Sequence, residues 1–421
     1  MSHVATCLLM ILVAFSGCTE KNDSAVTFNA DILPIIEANC AGCHNPKGFA
    51  PFDLLGYKDV AKRADMIMEV TSTGYMPPWY ADSSYRHFAN ERFISKQEIK
   101  TIEKWIAQGK RKGGLFSKRI KLRSANSILA SQRISFSLHD EHIIDGDNQE
   151  HFIKYIIPFE YENELAIEGL SFTPGSRKYA HHANYGIYTT PENVVFRKDY
   201  PPIEANINEK QMDEFSELFG RQVHYSGWIP GSSAVDFGTG AGFMLPKKGV
   251  ILVTMHYAAA PIEHKENSVL HLYPTDSAIT EVVKTISIGS GGIGTIKPEL
   301  IIPADTIMDF SLIERLPRGI EILYLFPHMH LLGKSFMAYA TTKESDTIPL
   351  IKINNWDFDW QEGYQLEQPF KLPAFSRLHM QASFDNTSNN PRNPFSPPRE
   401  IVSTGLMETK KEMMTLVLIY K

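Results

Sequence analysis

Cys40-Ala41-Gly42-Cys43-His44 places two thiols three positions apart, with a histidine directly after the second. That spacing lets both sulfurs bond to the vinyl groups of one porphyrin and holds the imidazole near the iron as an axial ligand. The alternative is a zinc half-site. It would need a second CxxC or a metal-spaced histidine pair nearby, and neither follows. A covalent haem relays single electrons, so the rest of the chain is expected to use or supply them. Met76, in Gly74-Tyr75-Met76-Pro77-Pro78-Trp79, is the candidate sixth ligand. A thioether favours ferrous iron, and the two prolines stiffen the loop that presents it. Met66 and Met68 are rivals, but they fall in a helical pattern where core packing accounts for them.

Further metal-binding residue types lie downstream: His181-His182, His256 in Val253-Thr254-Met255-His256-Tyr257, and His328-Met329-His330 at the end of a strand-like run. Residues i and i+2 of a strand share a face, so His328 and His330 can reach one metal. Adjacent residues point to opposite faces. His181 and His182 can therefore share a metal only at a bulge or a strand end, and different ring nitrogens are expected to bind. His256 can supply a third imidazole. His139, His142, His151, His224, His264, His271 and His379 read as core or surface histidines.

The elements that must position these groups fall into two regimes. Asp31 to Asn39 reads as a short helix leading into the Cys40 motif. Ser95-Lys96-Gln97-Glu98 is a capping box, followed by Ile99, Ile102, Trp105 and Ile106 at helical spacing and Gly109 as a stop. From about Arg119 onward, short β-branched and aromatic runs alternate with Gly, Pro and Asn clusters, as in 153–157, 250–254, 321–326 and 415–420. This pattern predicts antiparallel sandwiches or barrels. Some 300 residues exceed one ordinary sandwich, so two are expected, separated near Gly289-Ser290-Gly291-Gly292. The composition, 43% apolar and 21% charged, is globular, and the net charge of −6 gives no basic patch for nucleic acid. No run reaches the ~18 apolar residues of a membrane-spanning helix.

Several segments resemble known families. Helices before and after the Cys40 motif, with haem between them, resemble the small class I cytochrome c domain, placed at residues 28–115 with Gly113-Gly114 near its end. Val4 to Phe15, then Ser16-Gly17-Cys18, resembles a bacterial lipoprotein signal: residues 1–18 would be the signal peptide, Cys18 the lipidated residue, and 19–27 a polar tether. This departs from the usual pattern in lacking Lys or Arg before the apolar run and in carrying Phe15. It implies the bacterial cell envelope, periplasm-facing or at the surface, with an outer-membrane lipid anchor. Cys7, Cys18, Cys40 and Cys43 are the only cysteines. The assignments above leave none for a disulfide.

The series His181-His182, His256-Tyr257, His328-Met329-His330-Leu331-Leu332-Gly333-Lys334 and Glu412-Met413 is similar to the copper type II, ascorbate-dependent monooxygenases, over roughly residues 130–421. Gly227-Trp228-Ile229-Pro230-Gly231 upstream of His256 also fits. The resemblance implies two jelly-roll-like antiparallel β-sandwiches, at 130–288 and 293–421, each with one copper. His181, His182 and His256 would bind the electron-storing copper. His328, His330 and Met413 would bind the copper that meets O2, with Met414 and Met380 as rivals of Met413. Imidazoles suit both copper oxidation states, and a thioether favours Cu(I). The implied activity is hydroxylation of a C–H bond of a small molecule by O2, with electrons from a reductant or another cytochrome through the haem. A non-catalytic haem and copper electron carrier and a zinc hydrolase are the alternatives. In the peptide-hydroxylating members an Arg stands where this chain has Phe326, and Asn and Tyr stand at Thr415 and Val417. Without the charge-assisted anchor, a less charged substrate than a glycine-extended peptide is implied.

Overall fold

Period-two alternation and β-branched runs produce antiparallel sheets over most of the chain, as the composition predicts. A computed structural model describes residues 25–46, 48, 50–116, 118–120, 133–140, 142–192, 194–197, 199–204, 218, 220–230, 232, 234–403 and 411–421. The signal-peptide and lipidation assignments at 1–18, Cys18 included, lie outside the described residues, as does most of the 19–27 tether. No helix among the described residues is long and apolar enough to cross a membrane.

The first pair of sheets faces inward on a shared core. One sheet runs Ile134–Ser137, Val269–Pro274, Leu165–Thr173, Ala241–Leu245 and Glu281–Val282, with Val235–Asp236 beside Leu165–Thr173. The other runs Ile203–Glu204, His151–Glu160, Lys248–Tyr257, Ala180–Thr189 and Gln222–Trp228. Ile167, Leu170, Phe243 and Leu272 from the one meet Tyr155, Ile187, Ile251 and Val253 from the other. Burying each such aliphatic side chain contributes about 1.5–3 kcal/mol.

The second pair combines Lys284–Gly289, Thr415–Tyr420, Ile320–His328 and Tyr364–Leu372 with Ile307–Arg315, Arg377–Asp385, Gly333–Thr341 and Thr347–Ile353. Lys284–Gly289 pairs with Thr415–Tyr420 along its whole length. The first sheet pair therefore ends before Lys284, not at 288 as the glycine cluster implied. The cluster instead makes the turn after this strand. Leu323, Tyr324 and Ile419 turn away from the second core and join the first. Their strands are buried on both faces, which is why 322–326 and 416–420 read as unbroken apolar runs rather than alternations.

The helical part precedes both. Phe28–Ile32 leads into the helix Leu33–Asn39, and Lys96–Ala107 packs back across them, with Trp105 fully buried near Phe28. The Ser95 capping box forms: Ser95 Oγ accepts from the Glu98 amide, and Glu98 Oε2 accepts from the Ser95 amide at 2.7 Å. This core extends from Val26 to Ile120, slightly beyond the expected 28–115. It is also not contiguous. Ala81 and Phe88 belong to the core of the second sheet pair, and bridges join Ala81 to Ile353 and Phe88 to Leu366. The stretch from Trp79 to Arg92 thus adds its backbone to the edges of another part of the fold, and Trp79 and Phe88 pack on Tyr364. Helical periodicity in the flanking segments gives no sign of that insertion.

Candidate metal centres

The first histidine group grows from an irregularity in strand pairing. His256 opposes His182, but the next residue, Tyr257, opposes Ala180, so His181 is the extra residue of a bulge. The bulge turns two adjacent side chains toward one point. His181 Nδ1 lies 3.3 Å from His182 Nδ1, and His256 Nδ1 lies 3.4 Å from His182 Nδ1. One ligand atom from each of the three falls within 4.8 Å of the others. The same ring nitrogen of each residue turns inward, contrary to the expectation of different nitrogens for His181 and His182. Two of the outer nitrogens face carboxylates: His181 Nε2 is 3.5 Å from Asp359 Oδ1, and His256 Nε2 is 3.5 Å from Glu150 Oε2. Burial, and then the neighbouring His256, lowers the His181 pKa to about 4. Burial holds His182 well below the ordinary value, reinforced by His256, His181, His328 and His330. Neutral imidazoles with converging lone pairs are what a cation binds.

The second group sits where Ile320–His328 ends. His328 and His330 share a side, with their Nε2 atoms 3.1 Å apart. His328 Nδ1 meets the amide oxygen of Gln361, and His330 Nδ1 meets the carbonyl of Lys411. With Nδ1–H donating outward, both Nε2 lone pairs face the shared point. Burial lowers the His328 pKa to about 4. The buried carboxylate of Glu412 accepts from the backbone N–H of Leu332 at 2.7 Å and of His330 at 3.0 Å. Burial pushes its pKa up to about 8 despite those bonds. Glu412 thereby ties the strand start next to Met413 to the His330 turn. Met413 is buried outside the second hydrophobic core, whereas Met414 and Met380 are packed within it. Two imidazole nitrogens facing one point suit a transition-metal cation.

Phe358 neighbours both groups. Its ring centroid is 5.8 Å from those of His182 and His256 and 6.1 Å from that of His330. Phe326 fills the space over Gly363, where a β-carbon would lie 2.2 Å from the ring. Thr415 Oγ1 donates to the Ser290 carbonyl, and Val417 pairs with Phe326. None of these positions presents a cation.

The Cys40 motif follows the helix Leu33–Asn39. Cys40 and Cys43 are free thiols, and burial raises the Cys40 pKa to about 12. His44 Nδ1 meets the carbonyl of Phe52 at 3.0 Å, so Nε2 is the nitrogen that would be left to bind a metal. A β-carbon on Gly48 would lie 1.9 Å from the Cys43 carbonyl oxygen, so only glycine allows this tight turn. Two free thiols beside an oriented imidazole fit a thioether-linked haem. Met76 is half-buried just after the helix Ala64–Ser72, and no hydrogen bond or ring contact joins it to His44 among the described residues. Met66 is exposed and Met68 packs on the helical core.

The remaining histidines have local roles. His271 bridges Ser135 and Thr173, His379 meets Thr341, His142 meets Tyr155, and His151 pairs with Asp147. His264 lies against Tyr179 and Tyr257, and His139 against His142. His224 is fully buried on Phe243, with neither nitrogen hydrogen-bonded. Sequence reasoning missed Asp359, Gln361 and Phe358, which share one loop. Its signal is the acidic and aromatic string Trp356-Asp357-Phe358-Asp359-Trp360 between two strands.

No family model matches the chain, and no curated protein matches it. Among solved structures it is similar to PNGF-II, at 8% identity and TM-score 0.27, covering 72% of each chain. It is also similar to allantoicase from Saccharomyces cerevisiae, at 8% identity and TM-score 0.17, covering 64% of this chain and 78% of that one. The infectious bursal disease virus VP2 subviral particle matches at 8% identity and TM-score 0.16, over 68% and 77%. Similarity this low carries no functional argument.

Proposed function

We propose that this chain is a copper-dependent monooxygenase of the type II, ascorbate-dependent kind, supplied with electrons through a c-type haem in its helical part. Each sheet pair is read as one jelly-roll-like sandwich. The observation that carries the reading is the pair of histidine groups that both neighbour Phe358, each with inner nitrogens converging on one point.

In this reading His181, His182 and His256 hold one copper and His328, His330 and Met413 the other, with haem on Cys40, Cys43 and His44 and Met76 as its distal ligand. Copper supplies one-electron cycling and the activation of O2 for hydroxylation of a C–H bond. The chain's own residues do the rest. Asp359, Glu150, Gln361 and the Lys411 carbonyl fix ring orientation, and Phe358 keeps water out of the space between the groups. Phe326 and Val417 favour an uncharged portion of the substrate. Anchoring through Cys18 would hold the molecule at the bacterial envelope, beside its electron donor.

Metal analysis and copper EPR of the matured protein test this reading, followed by oxygen uptake with a reduced donor and apolar substrates. Two coppers and one haem per chain are expected, with haem reoxidation faster in the copper-loaded protein than in the copper-free one. Zinc in place of copper, or no acceleration, defeats it. A second reading, a non-catalytic electron carrier, is favoured by the closeness of the groups, since His328 and His330 both act electrostatically on His182. Oxygen consumption that does not depend on substrate would support it.

A further inference from the structure

The outer partners of both histidine groups lead to one loop of the second sheet pair. Asp357 accepts from Tyr80 Oη at 2.7 Å and from Arg392 Nη2 at 2.9 Å. Asp359 accepts from the same Nη2 at 2.6 Å and faces His181. Gln361 meets His328, and Glu362 meets Arg92. His181 belongs to the first sheet pair, whereas Tyr80 comes from the stretch that follows Met76.

We propose that Asp359 is the positioning residue for the metal site of the first sheet pair, supplied across the interface by the second. Arg392 and Asp357 tie its setting to Tyr80 and so to the seating of the helical part. The inference rests on reading His181, His182 and His256 as a metal site. It does not rest on which metal binds there. His181 needs an outside partner because it is a bulge residue, and no ladder fixes its orientation. With Nδ1 turned inward, Nε2 faces the Asp359 carboxylate at 3.5 Å, a polar contact longer than a full hydrogen bond that favours the Nε2–H tautomer of the neutral ring. His256 has its own carboxylate, Glu150, from within the first sheet pair and about half exposed. Asp359 is the better fixed of the two, because Arg392 clamps it together with Asp357. An anionic partner on the outer nitrogen fixes the tautomer and raises the basicity of the inner one. The site is therefore incomplete unless the two sheet pairs are closed on each other. By reciprocity, metal bound there must strengthen the closure.

The test uses the full chain, titrated with Cu(II) against a competing chelator and followed by EPR. Asp359→Asn should weaken copper binding at the first site about 10–100-fold and change its EPR signature. The His328 and His330 site should keep its affinity. Asp359→Glu should restore much of the loss, and Tyr80→Phe should shift affinity the same way by less. Circular dichroism checks that each variant is folded. Wild-type affinity and spectrum in Asp359→Asn overturn the proposal. The series is repeated with Co(II), whose visible spectrum reports a three-imidazole set. If the wild type binds Co(II) but not Cu(II), the copper reading fails while Asp359 is still judged by its variants. A wild type that binds neither ion overturns both.

Discussion

His224 shows what a buried histidine does when no metal or partner uses it. Its ring stacks on Phe243 with centroids 4.8 Å apart, and burial lowers its pKa from 6.5 to about 3. Between those values the unfolded chain takes up a proton that the folded chain refuses. Stability is thus unaffected above pH 6.5 and falls as the pH drops toward 3, by about 1.4 kcal/mol for each pH step of one across that interval. His224→Phe should be neutral or slightly stabilising at pH 7, because two unpaired buried nitrogens disappear. It should also flatten the acid side of the urea midpoint plotted against pH. An unchanged acid limb refutes this account. Glu412 is the opposite case, a buried group whose partners depend on it. Glu412→Ala orphans the N–H groups of His330 and Leu332, at about 1–3 kcal/mol each. Glu412→Gln keeps one acceptor and should lose less. Denaturant midpoints rank the three chains, and metal affinity at His328 and His330 should fall in the same order. The shared face of His328 and His330 was legible from period two alone. The residues that orient them were not, since Gln361, Lys411 and Glu412 are distant in sequence and carry no spacing relation to a histidine.

At the scale of elements, a bulge shapes the first histidine group and a glycine turn lies close to the second in the fold. The bulge at His181 was legible as one of two options, because adjacent strand histidines can share a metal only at a bulge or a strand end. Which nitrogen turns inward depends on side-chain torsions, which spacing does not encode. Strand Lys284–Gly289 is the second case. Gly289 has φ of +102°, and a β-carbon there would lie 2.0 Å from the Met414 carbonyl oxygen. The glycine cluster was legible as a break. Its meaning was not, because a turn after a strand and a boundary between domains have the same composition. Only the pairing of 284–289 with 415–420 decides between them, and that contact spans most of the second half of the chain. Gly289→Ala should cost more than the about 1–3 kcal/mol of the backbone angle alone, since Met414 must also move. Calorimetry measures the loss. Its signature beyond stability is weaker metal binding at His328 and His330, since Met413 adjoins the displaced residue. A variant that loses stability but keeps that affinity would separate Gly289 from the site.

At the scale of the whole molecule, the helical part is held by insertion rather than by a tether. Asp82 N donates to the Lys352 carbonyl at 2.7 Å, Ala89 N to the Gln365 carbonyl at 2.8 Å, and Asn90 Nδ2 to the Gly363 carbonyl at 2.8 Å. Arg92 and Glu362 then form an ion pair that is almost fully buried, with side chains 15% and 7% exposed. Burial raises the Cys43 pKa, and the Arg92 charge draws it back down, so the pair acts on the motif itself. Desolvating two charges costs about what their attraction returns, so such a pair adds little net stability. Its removal one side at a time is another matter. Arg92→Ala leaves Glu362 uncompensated and should destabilise the chain by about 3–5 kcal/mol, whereas Arg92→Met with Glu362→Leu should recover most of that loss. Urea unfolding of the single and double variants, read as a cycle, gives the coupling directly. Limited proteolysis between Gly74 and Ser95 gives the structural readout. Cleavage should be fast in Arg92→Ala and close to wild type in the double variant. If the double variant is as unstable and as easily cut as the single one, the pair's charge is not what seats the helical part. The bonds from the Asp82 and Ala89 amides and the Asn90 side chain would then account for the docking.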